Sequence, residues 1–266
     1  MKDKFNRNIN YLRISVTDRC NLRCTYCMPE EGVVMLPHEQ ILTFEEIFEA
    51  TQTAVSLGIS KVRITGGEPL VRKGIIHLIE MLASIDGIND LSMTTNGILL
   101  KGFAKPLKEA GLHRVNVSLD TMNPIQFRQI TRGGDLWDVI EGIDAAISAG
   151  LTPVKLNCVV KKTDNDQEVE AVKAFANSRN IQVRFIRQMN LKTGTFSVVQ
   201  GGSGGDCTRC NRIRLTANGK IKPCLFNDQE YSVRELGAAE AITRAVTNKP
   251  SSGTHNHSGQ FYNIGG

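Results

Sequence analysis

Short runs of β-branched and apolar residues alternate with longer amphipathic stretches over the first two thirds of the chain. In the stretch from Thr43 to Leu57, Phe44, Ile47 and Val55 lie near helical spacing, which predicts a helix with one buried face. We predict six strands, namely Tyr11–Val16, Lys61–Thr65, Asp90–Thr94, Arg114–Leu119, Pro153–Val160 and Gln182–Ile186. Strand–helix units in series predict an α/β fold with a parallel sheet.

Local signals mark the ends of the predicted helices. Thr43 begins the sequence Thr-Phe-Glu-Glu, a capping box in which the Thr and Glu side chains bond to free backbone N–H groups. Gly58, Gly111 and Gly150 each follow a helical run. They are typical of C-terminal helix stops, because glycine adopts the left-handed conformation without strain.

Polar motifs follow three of the predicted strands, as Thr65-Gly-Gly-Glu68, Thr94-Thr-Asn-Gly97 and Ser118-Leu-Asp120. In a barrel, functional residues lie at the C-terminal ends of several strands, whereas an open sheet concentrates them at one switch point. The motifs therefore favour a barrel. Because six units are too few for a closed eight-stranded barrel, we predict a partial (β/α)6 TIM-like barrel whose open side needs a cover.

The alternating pattern stops after Ile186. We therefore divide the chain into a barrel domain, residues 1–190, and a shortened C-terminal region, residues 191–266. In the second region, Gly201-Gly-Ser-Gly-Gly205 is typical of a flexible linker. The glycine-rich tail from Pro250 to Gly266 is expected to be poorly ordered on its own.

The composition is ordinary for a globular protein, with 41% hydrophobic and 22% charged residues in a chain of 266. No run approaches the roughly 20 apolar residues of a membrane helix, and the polar N-terminus lacks a secretory signal. We therefore expect a cytoplasmic protein without a membrane partner. The net charge of +5 comes without basic blocks interleaved with aromatic residues. This favours a small phosphorylated ligand over nucleic acid.

Six of the seven cysteines fall into two triplets, and clustered cysteines without a secretory signal point to metal binding or catalysis. Cys158 lies alone in an apolar run and is expected to be buried.

The first triplet, Cys20, Cys24 and Cys27, has the spacing C-x3-C-x2-C. Structural zinc needs four ligands and no fourth is nearby. A four-iron cluster takes one thiolate per iron, so three thiolates leave one iron open.

The spacing of the first triplet resembles the signature of the radical S-adenosylmethionine superfamily. The resemblance implies that S-adenosylmethionine chelates the open iron and is cleaved by electron transfer to a 5′-deoxyadenosyl radical. Tyr26 then resembles the aromatic residue near the adenine, with a core aromatic as the alternative. Gly66-Gly-Glu-Pro69 resembles the second motif of the superfamily, where glycines let the backbone approach the methionyl amino group.

The second triplet, Cys207, Cys210 and Cys224, again supplies three thiolates, with the spacing C-x2-C-x13-C. It favours a second cluster with an open iron for the substrate, and a zinc knuckle with one distant histidine is the alternative. Arg212 and Arg214 alternate with apolar residues, so both can face one way on a strand. Beside such an iron they are suited to bind an anion or a purine edge.

With both triplets placed, the chain closely resembles the GTP 3′,8-cyclase family of molybdenum cofactor biosynthesis. The resemblance runs over nearly the whole chain. It is carried by Arg13-Ile-Ser-Val-Thr-Asp-Arg-Cys, Arg63-Ile-Thr-Gly-Gly-Glu-Pro-Leu, Thr94-Thr-Asn-Gly, Arg114-Val-Asn-Val-Ser-Leu-Asp, Arg184-Phe-Ile, Cys207-x2-Cys-Asn-Arg-Ile-Arg-Leu-Thr and the final Ile264-Gly-Gly. It implies two [4Fe-4S] clusters and S-adenosylmethionine as cofactors, and conversion of GTP to 3′,8-cyclo-7,8-dihydro-GTP.

The resemblance also implies roles for single residues. For the substrate GTP, it implies contacts from Arg13, Arg63, Thr94 and Lys155 in the barrel, and from Arg212, Ile213 and Arg214 beside the second cluster. For S-adenosylmethionine, it implies contacts from Tyr26, Gly67, Ser118 and Met189. Arg184 resembles an arginine of the active site, and Gly265 and Gly266 resemble a tail that enters the active site and supports catalysis. Cationic side chains suit a triphosphate of about four negative charges.

The resemblance implies further partners: an electron donor, a cyclic pyranopterin monophosphate synthase that acts on the product, and a second copy of the chain in a homodimer. One departure from the family lies between Met189 and Cys207, where the usual member has several tens more residues and this chain has a short glycine-rich segment. The shortening threatens the cover of the barrel mouth and the position of the second triplet.

Two other functions remain open at the level of the sequence. A radical enzyme that modifies a peptide would also carry extra cysteines, but its auxiliary region usually holds more than three. A basic zinc-binding module, for example one that binds nucleic acid, would use the same thiolates. Iron and sulfide analysis separates the second alternative from either enzyme.

Overall fold

The computed structural model describes residues 1–161, 166–257 and 261–264. Its strands are β1 (Tyr11–Ser15), β2 (Lys61–Thr65), β3 (Asp90–Thr95), β4 (Arg114–Ser118), β5 (Lys155–Val160), β6 (Gln182–Arg187), β7 (Arg212–Leu215), β8 (Lys220–Lys222) and β9 (Tyr231–Ser232). Its helices are α1 (Phe44–Ser56), α2 (Ile75–Ala83), α3 (Leu100–Glu109), α4 (Pro124–Thr131), α5 (Leu136–Ser148), α6 (Asp166–Ser178), α7 (Val233–Leu236), α8 (Ala238–Thr247) and α9 (Phe261–Ile264). None of the helices described here is long and apolar enough to span a lipid bilayer.

The first six strands are all parallel and lie side by side in the order of the sequence, from β1 to β6. An open doubly wound sheet reverses its strand order at a switch point, and no reversal occurs among these six strands. The predicted partial (β/α)6 barrel is therefore confirmed. All six predicted strands are present, with bounds that agree within two residues.

The outer face of the strands packs against the helices. Leu12, Ile14, Val62 and Ile64 are fully buried in one hydrophobic core that also contains the inner faces of the helices. Cys158 belongs to this core and is 1% exposed, as predicted for a strand cysteine. This pattern leaves the alternate positions of each strand, which carry polar residues, facing the interior of the barrel.

The helix ends contain the capping box and the glycine stops that the sequence predicts. The Thr43 side chain accepts from the N–H of Glu46, and the Glu46 carboxylate accepts from the N–H of Thr43, which completes the capping box. Gly58, Gly111 and Gly150 follow α1, α3 and α5 with φ angles of +99°, +96° and +76°. These positions need glycine because other residues are strained in the left-handed region.

The C-terminal region continues the barrel sheet. Strand β7 pairs in parallel with β1, on the edge opposite β6, and the antiparallel strands β8 and β9 extend the sheet further. The residues of the second cysteine triplet flank β7 and β8, so this pairing brings them to the barrel. The domain boundary near residue 190 stays a prediction.

The glycine-rich segment is packed against β6, which differs from the loose linker that its composition predicts. Phe185 and Gln200 exchange both backbone hydrogen bonds, at 3.0 and 3.1 Å, and the N–H of Val199 donates to Gly204 O at 2.7 Å. A Cβ atom at Gly205 would lie 2.0 Å from Ser197 O. Close backbone packing therefore accounts for glycine here, where composition alone indicated flexibility.

Two glycines within helices provide a test of how closely α5 packs on the loop before α3. A Cβ at Gly142 in α5 would lie 2.5 Å from Gly97 O, whereas a Cβ at Gly102 in α3 meets nothing within 4 Å. We expect Gly142→Ala to cost about 1–3 kcal/mol of stability, because overpacking outweighs the gain in helix propensity. Gly102→Ala should instead stabilise by roughly 0.5–1 kcal/mol.

Thermal unfolding of the two variants measures the difference. At this chain length, the apparent Tm should shift by roughly 2–4 °C per kcal/mol, downward for Gly142→Ala and upward for Gly102→Ala. A Tm for Gly142→Ala at or above that of the unaltered chain would contradict the close packing of α5 on the loop before α3.

Candidate active site

Three arginines lie side by side on adjacent strands inside the barrel. Arg13 of β1 is in register with Arg63 of β2 on one side and with Arg214 of β7 on the other. Neighbouring strands are about 4.8 Å apart, and residues in register on them point the same way. Three guanidinium groups therefore form one row, which we call the arginine row: Arg214, Arg13 and Arg63.

The arginine row is withdrawn from solvent. Arg13, Arg63 and Arg214 are 9%, 8% and 4% exposed. Burial lowers the pKa of Arg13 well below its usual range, and the charges of Arg214 and Arg63 lower it further. Burial also lowers the pKa of Arg214 to about 10, with Arg212 adding to the effect. Like charges held this close are costly unless an anion lies between them.

Further cations extend the row around the barrel wall. Arg184 of β6 and Lys155 of β5 have pKa values lowered first by burial and then by neighbouring arginines. Arg114 differs, because Asp90 binds its guanidinium with two hydrogen bonds of 2.9 and 2.6 Å. Within the described part of the chain, Arg63, Arg184 and Arg212 form no salt bridge.

Several buried polar atoms of this interior have no hydrogen-bond partner among the described residues. They include Arg184 Nε, Arg212 Nε, Thr94 Oγ1 and Tyr11 Oη. An unsatisfied buried donor costs roughly 1–3 kcal/mol. Unsatisfied polar atoms beside cations are compatible with a polar anionic ligand, and the phosphorylated substrate stays a prediction here.

The arginine row lines a cavity together with the second cysteine triplet. Its walls include Arg13, Arg63, Arg184, Arg212, Arg214, Cys207, Cys210, Cys224, Met189 and the segment Gly202–Gly205. Arg212 donates from Nη2 to Ser203 O at 3.0 Å, so the glycine-rich segment holds one of the arginines. We call this space the arginine cavity.

Ile213, a predicted GTP contact, has its side chain directed away from the arginine cavity. Its side chain is fully buried in the hydrophobic core, on the face of β7 opposite Arg212 and Arg214. The side chain therefore does not line the arginine cavity, and a GTP contact at Ile213, which stays a prediction, would use the backbone. Alternation along a strand is the reason, since successive side chains point to opposite faces.

The first cysteine triplet lines a second cavity, which we call the sulfur cavity. Its walls also include Tyr26, Gly67, Glu68, Thr94, Ser118, Met189, Phe261 and Tyr262. Thr94, which the resemblance placed among the GTP contacts, thus lines the cavity of the first triplet and not the arginine cavity. Asn157, Ile186 and Met189 line both cavities, so the two spaces share a wall. Lys155 lines neither cavity, although it lies within electrostatic reach of Arg184 and Arg63.

The spacing of the sulfur atoms bears on which metal group each triplet could hold. Among the described residues, the only group of three or more possible ligands whose atoms all lie within 4.8 Å of one another is Asp228, His255 and His257. Neither cysteine triplet meets this limit. Thiolates on one zinc ion lie at about 2.3 Å from the metal and hence closer together, whereas a four-iron cluster takes each thiolate on a different iron. The donor sets therefore fit clusters better than zinc.

Glu68 connects the first triplet to the end of β3. Its carboxylate accepts from Leu70 N at 3.0 Å, from Thr95 Oγ1 at 2.8 Å and from Asn96 N at 2.7 Å. Asn96 in turn donates from Nδ2 to Cys20 Sγ at 3.8 Å. The glutamate of the Gly-Gly-Glu motif is thus a positioning residue that orders the loop beside Cys20.

Gly67 has a packing role that its motif did not predict. A Cβ at this position would lie 2.2 Å from Arg19 O, and the Gly67 N–H donates to Thr17 O at 2.7 Å. The backbone of Gly67 therefore contacts the loop that carries Cys20. Close approach between two loops of the chain requires glycine here, before any ligand is considered.

Tyr26 lies between two cysteines of the first triplet and is held by a carboxylate. Its hydroxyl donates to Asp120 Oδ2 at 2.7 Å, while Asp120 Oδ1 accepts from Val159 N at 2.8 Å. Burial raises the pKa of Tyr26 far above its usual range, and Asp120 adds to the effect. Tyr26 therefore stays neutral. Sequence analysis missed Asp120 as its partner, although Ser118-Leu-Asp120 had been noted as a motif.

The two sulfur triplets have opposite electrostatic surroundings. Burial, with smaller contributions from Cys20 and Asp120, raises the pKa of Cys27 to about 12. For Cys210 burial acts in the same direction, but Lys249 and Arg212 outweigh it and lower the pKa. A positive metal group at the first triplet would stabilise the thiolates that burial and Asp120 disfavour.

Lys249 is the residue that sequence analysis missed most clearly. It is 1% exposed, and its ammonium group donates to Arg212 O at 2.7 Å and to Pro223 O, and bonds to Cys210. Arg7 supports the same region, donating to Cys207 O at 2.7 Å and to Pro250 O at 2.6 Å. No local pattern marks either residue, because their partners are distant in sequence.

The C-terminal tail reaches the sulfur cavity. Phe261 and Tyr262 of α9 line it, and Ile264 is 2% exposed in a small second core. Burial raises the pKa of Tyr262, with a smaller effect from Asp18. Gly265 and Gly266, predicted to be catalytic, lie outside the described residues.

Two family models match the sequence. The Radical SAM superfamily model matches residues 14–176, and the Molybdenum Cofactor Synthesis C model matches residues 154–256.

Similar proteins include the GTP 3′,8-cyclase of Thermodesulfovibrio yellowstonii, which is 47% identical over 92% of this chain and 91% of the relative. The GTP 3′,8-cyclase of Alkaliphilus oremlandii is 43% identical, over 94% and 93%.

The alignment with the first relative extends over 292 positions, more than the 266 residues of this chain. That relative therefore carries residues that have no counterpart here. This agrees with a chain that is shortened relative to its family, as the segment between Met189 and Cys207 predicted.

Solved structures share the fold at low sequence identity. SuiB of Streptococcus suis bound to the precursor peptide SuiA has a TM-score of 0.68 at 15% identity, over 93% of this chain and 66% of that chain. The native anSMEcpe structure with bound AdoMet has a TM-score of 0.60 at 16% identity, over 90% and 81%. At such identities the likeness shows the fold alone, so it does not favour a peptide substrate.

The buried carboxyl of Glu68 predicts a pH-dependent stability. Burial raises its pKa to about 7, although three hydrogen bonds from donors oppose the shift. Between the ordinary pKa of about 4.5 and 7, the folded state keeps a proton that the unfolded state has lost. The contribution of Glu68 to the free energy of unfolding is therefore fully present below pH 4.5. It decreases as the pH rises from 4.5 to 7, by roughly 3 kcal/mol in total.

The comparison of Glu68 with Glu68→Gln isolates this effect. From pH 5.5 to 7.5, the apparent Tm of the unaltered protein should fall relative to that of the variant, whose amide does not titrate. A constant difference between the two Tm values over this range would show that the carboxylate is ionised throughout.

Proposed function

The chain belongs to the GTP 3′,8-cyclase family of the Radical SAM superfamily, and we propose that its arginine cavity binds the GTP that this enzyme cyclises in molybdenum cofactor biosynthesis. The observation that carries the proposal is the arginine row. Arg13, Arg63 and Arg214 are buried in register on adjacent strands and repel one another. A triphosphate supplies about four negative charges to such a row.

S-adenosylmethionine and an iron–sulfur cluster belong to the sulfur cavity. Cys20, Cys24 and Cys27 would hold a [4Fe-4S] cluster, which supplies the electron that cleaves S-adenosylmethionine. Tyr26, Gly67, Ser118 and Met189 are the proposed contacts of S-adenosylmethionine, and all four line this cavity. Asp120 and Glu68 act through Tyr26 and the loop beside Cys20, which they hold in place.

A second [4Fe-4S] cluster is proposed at Cys207, Cys210 and Cys224. These cysteines share the arginine cavity with Arg212 and Arg214, so a ligand of the open iron would also meet cationic side chains. Lys249 and Arg212 lower the pKa of Cys210 against the effect of burial, which favours the thiolate that binds iron.

The shared wall of the two cavities supports hydrogen transfer between their ligands. Asn157, Ile186 and Met189 line both spaces, so a ligand in one lies next to a ligand in the other. The apolar side chains of Ile186 and Met189 help to keep water from a radical formed between them.

Arg184 is proposed to act at the reacting nucleotide, since its side chain lines the arginine cavity and its Nε lacks a partner among the described residues. Thr94, which lines the sulfur cavity, and Lys155, which lies within electrostatic reach of Arg184 and Arg63, remain proposed GTP contacts. Gly265 and Gly266 are proposed to enter the active site beyond α9, whose residues Phe261 and Tyr262 line the sulfur cavity.

The remaining partners are proposed from family membership. They comprise an external electron donor, a cyclic pyranopterin monophosphate synthase that takes the product, and a second copy of the chain. A cytoplasmic location suits oxygen-sensitive clusters and belongs to the same proposal.

The function is tested by anaerobic incubation of cluster-reconstituted protein with GTP, S-adenosylmethionine and a reductant. We expect 5′-deoxyadenosine and the 3′,8-cyclised nucleotide. In Arg214→Met, GTP should bind at least about tenfold more weakly, because a buried charged hydrogen bond is worth roughly 1.5–3 kcal/mol.

Calorimetric titration with GTP measures the change, and Arg244→Met is the matched control. Arg244 pairs with Glu240 on the exposed face of α8, so this variant should bind GTP as the unaltered chain does. Cleavage of S-adenosylmethionine with GTP left intact would contradict the substrate. Equal GTP affinity in Arg214→Met would contradict the role of the row.

Lys249 is proposed to retain the second cluster. Lys249→Met leaves the carbonyls of Arg212 and Pro223 without their donor and removes the cation beside Cys210. After anaerobic reconstitution we expect iron to fall from about eight toward about four per chain, as one of two four-iron clusters is lost.

The control is Lys222→Met, which removes a lysine that is also 1% exposed but bonds to Asp228 O and Glu230. This variant should keep both clusters. Iron content that is unchanged in Lys249→Met, or equally reduced in both variants, would show that Lys249 has no specific role at the cysteines.

A further inference from the structure

A group of two histidines and one carboxylate lies outside both cavities. The possible ligand atoms of Asp228, His255 and His257 all lie within 4.8 Å of one another. His255 Nε2 is 4.0 Å from Asp228 Oδ2, and the centroids of the two imidazole rings are 4.6 Å apart. None of the cysteines belongs to this group, so it is separate from the proposed clusters.

The backbone beneath the group is fixed. Asn256, between the two histidines, is fully buried; its N–H donates to Leu191 O and its Nδ2 to Leu225 O, both at 2.8 Å. The His257 N–H donates to Asp228 Oδ1 at 2.7 Å, which places the carboxylate against the tail. Only exposed side chains need to turn for all three ligands to converge, so the ordering cost of binding is small.

We propose that Asp228, His255 and His257 form a binding site for a divalent transition metal of the zinc class. Imidazole and carboxylate ligands bind zinc at about 2.0–2.2 Å, which requires the ligand atoms to close to roughly 3.4 Å from one another. Two imidazoles favour zinc, cobalt or nickel over magnesium or calcium. Three protein ligands leave a coordination position for water, in keeping with a site that solvent reaches.

The position of the site allows a bound metal ion to hold the C-terminal tail in place. Asp228 lies four residues after Cys224, and the two histidines precede α9, whose Phe261 and Tyr262 line the sulfur cavity. A metal ion here joins the segment that follows the second triplet to the tail that enters the first cavity. The site therefore fastens the tail and does not take part in the chemistry.

The test uses the cluster-loaded protein under anaerobic conditions, titrated calorimetrically with cobalt(II) and with zinc. We expect one site per chain with a micromolar or tighter Kd, and at least about tenfold weaker binding in His255→Ala and in His257→Ala. His77→Ala is the control, because His77 is an exposed histidine that pairs only with Glu80 among the described residues. Its Kd should equal that of the unaltered chain.

Two further readouts identify the site. The absorption of bound cobalt should show ligand-field bands without a new thiolate charge-transfer band, and zinc should slow hydrogen exchange in residues 254–257. Absence of binding, equal affinity in the histidine variants, or a thiolate band would overturn the proposal. The result does not depend on GTP turnover, so it stands or falls apart from the proposed function.

Discussion

The repulsion between guanidinium groups on neighbouring strands is the constraint on which the interior of this protein depends. The parallel pairing of β7 with β1 and of β1 with β2 brings Arg214, Arg13 and Arg63 into one row. Burial lowers the pKa values of all three, and the charges of Arg214 and Arg63 lower the pKa of Arg13 further. The hydrophobic face of the same strands, with Leu12 and Ile14 in the core, stabilises the sheet and so holds the cations together.

The distribution of charge distinguishes the surroundings of the two cysteine triplets. Asp120 and Glu68 lie near the first sulfur triplet, whereas Lys249 and Arg212 lie near the second. Anionic groups near the first triplet suit a positively charged sulfonium and a metal group, and cations near the second suit an anionic nucleotide. Because Met189 lies in the shared wall, the two environments remain adjacent.

Sequence patterns predicted the local features well. The six barrel strands, the capping box at Thr43 and the glycine stops depend on neighbouring residues, and all are present. Strand alternation turns the side chain of Ile213 into the core, so the GTP contact that was carried over with its motif stays a prediction and would use the backbone. Composition also suggested that Gly201–Gly205 is a flexible linker, whereas the structure packs it beside β6 and Arg184.

Features that join distant parts of the chain could not be predicted. The pairing of β7 with β1, the buried ammonium of Lys249 and the bonds from Arg7 to Cys207 O and Pro250 O all depend on contacts across more than 20 residues. Such contacts produce no periodicity or spacing in the sequence from which they could be predicted. Family resemblance supplied residue roles but not these supports, which the packing of this shortened chain determines.

The central claim is that the arginine row exists to bind a chain of phosphates. Calorimetric titration of the cluster-loaded protein with guanosine, GMP, GDP and GTP at one salt concentration measures this directly. Affinity should rise with each added phosphate, and GTP should bind at least about a hundredfold more tightly than guanosine, a difference of roughly 2.7 kcal/mol. If guanosine and GTP bind equally well, the row does not hold the phosphates and the claim is wrong.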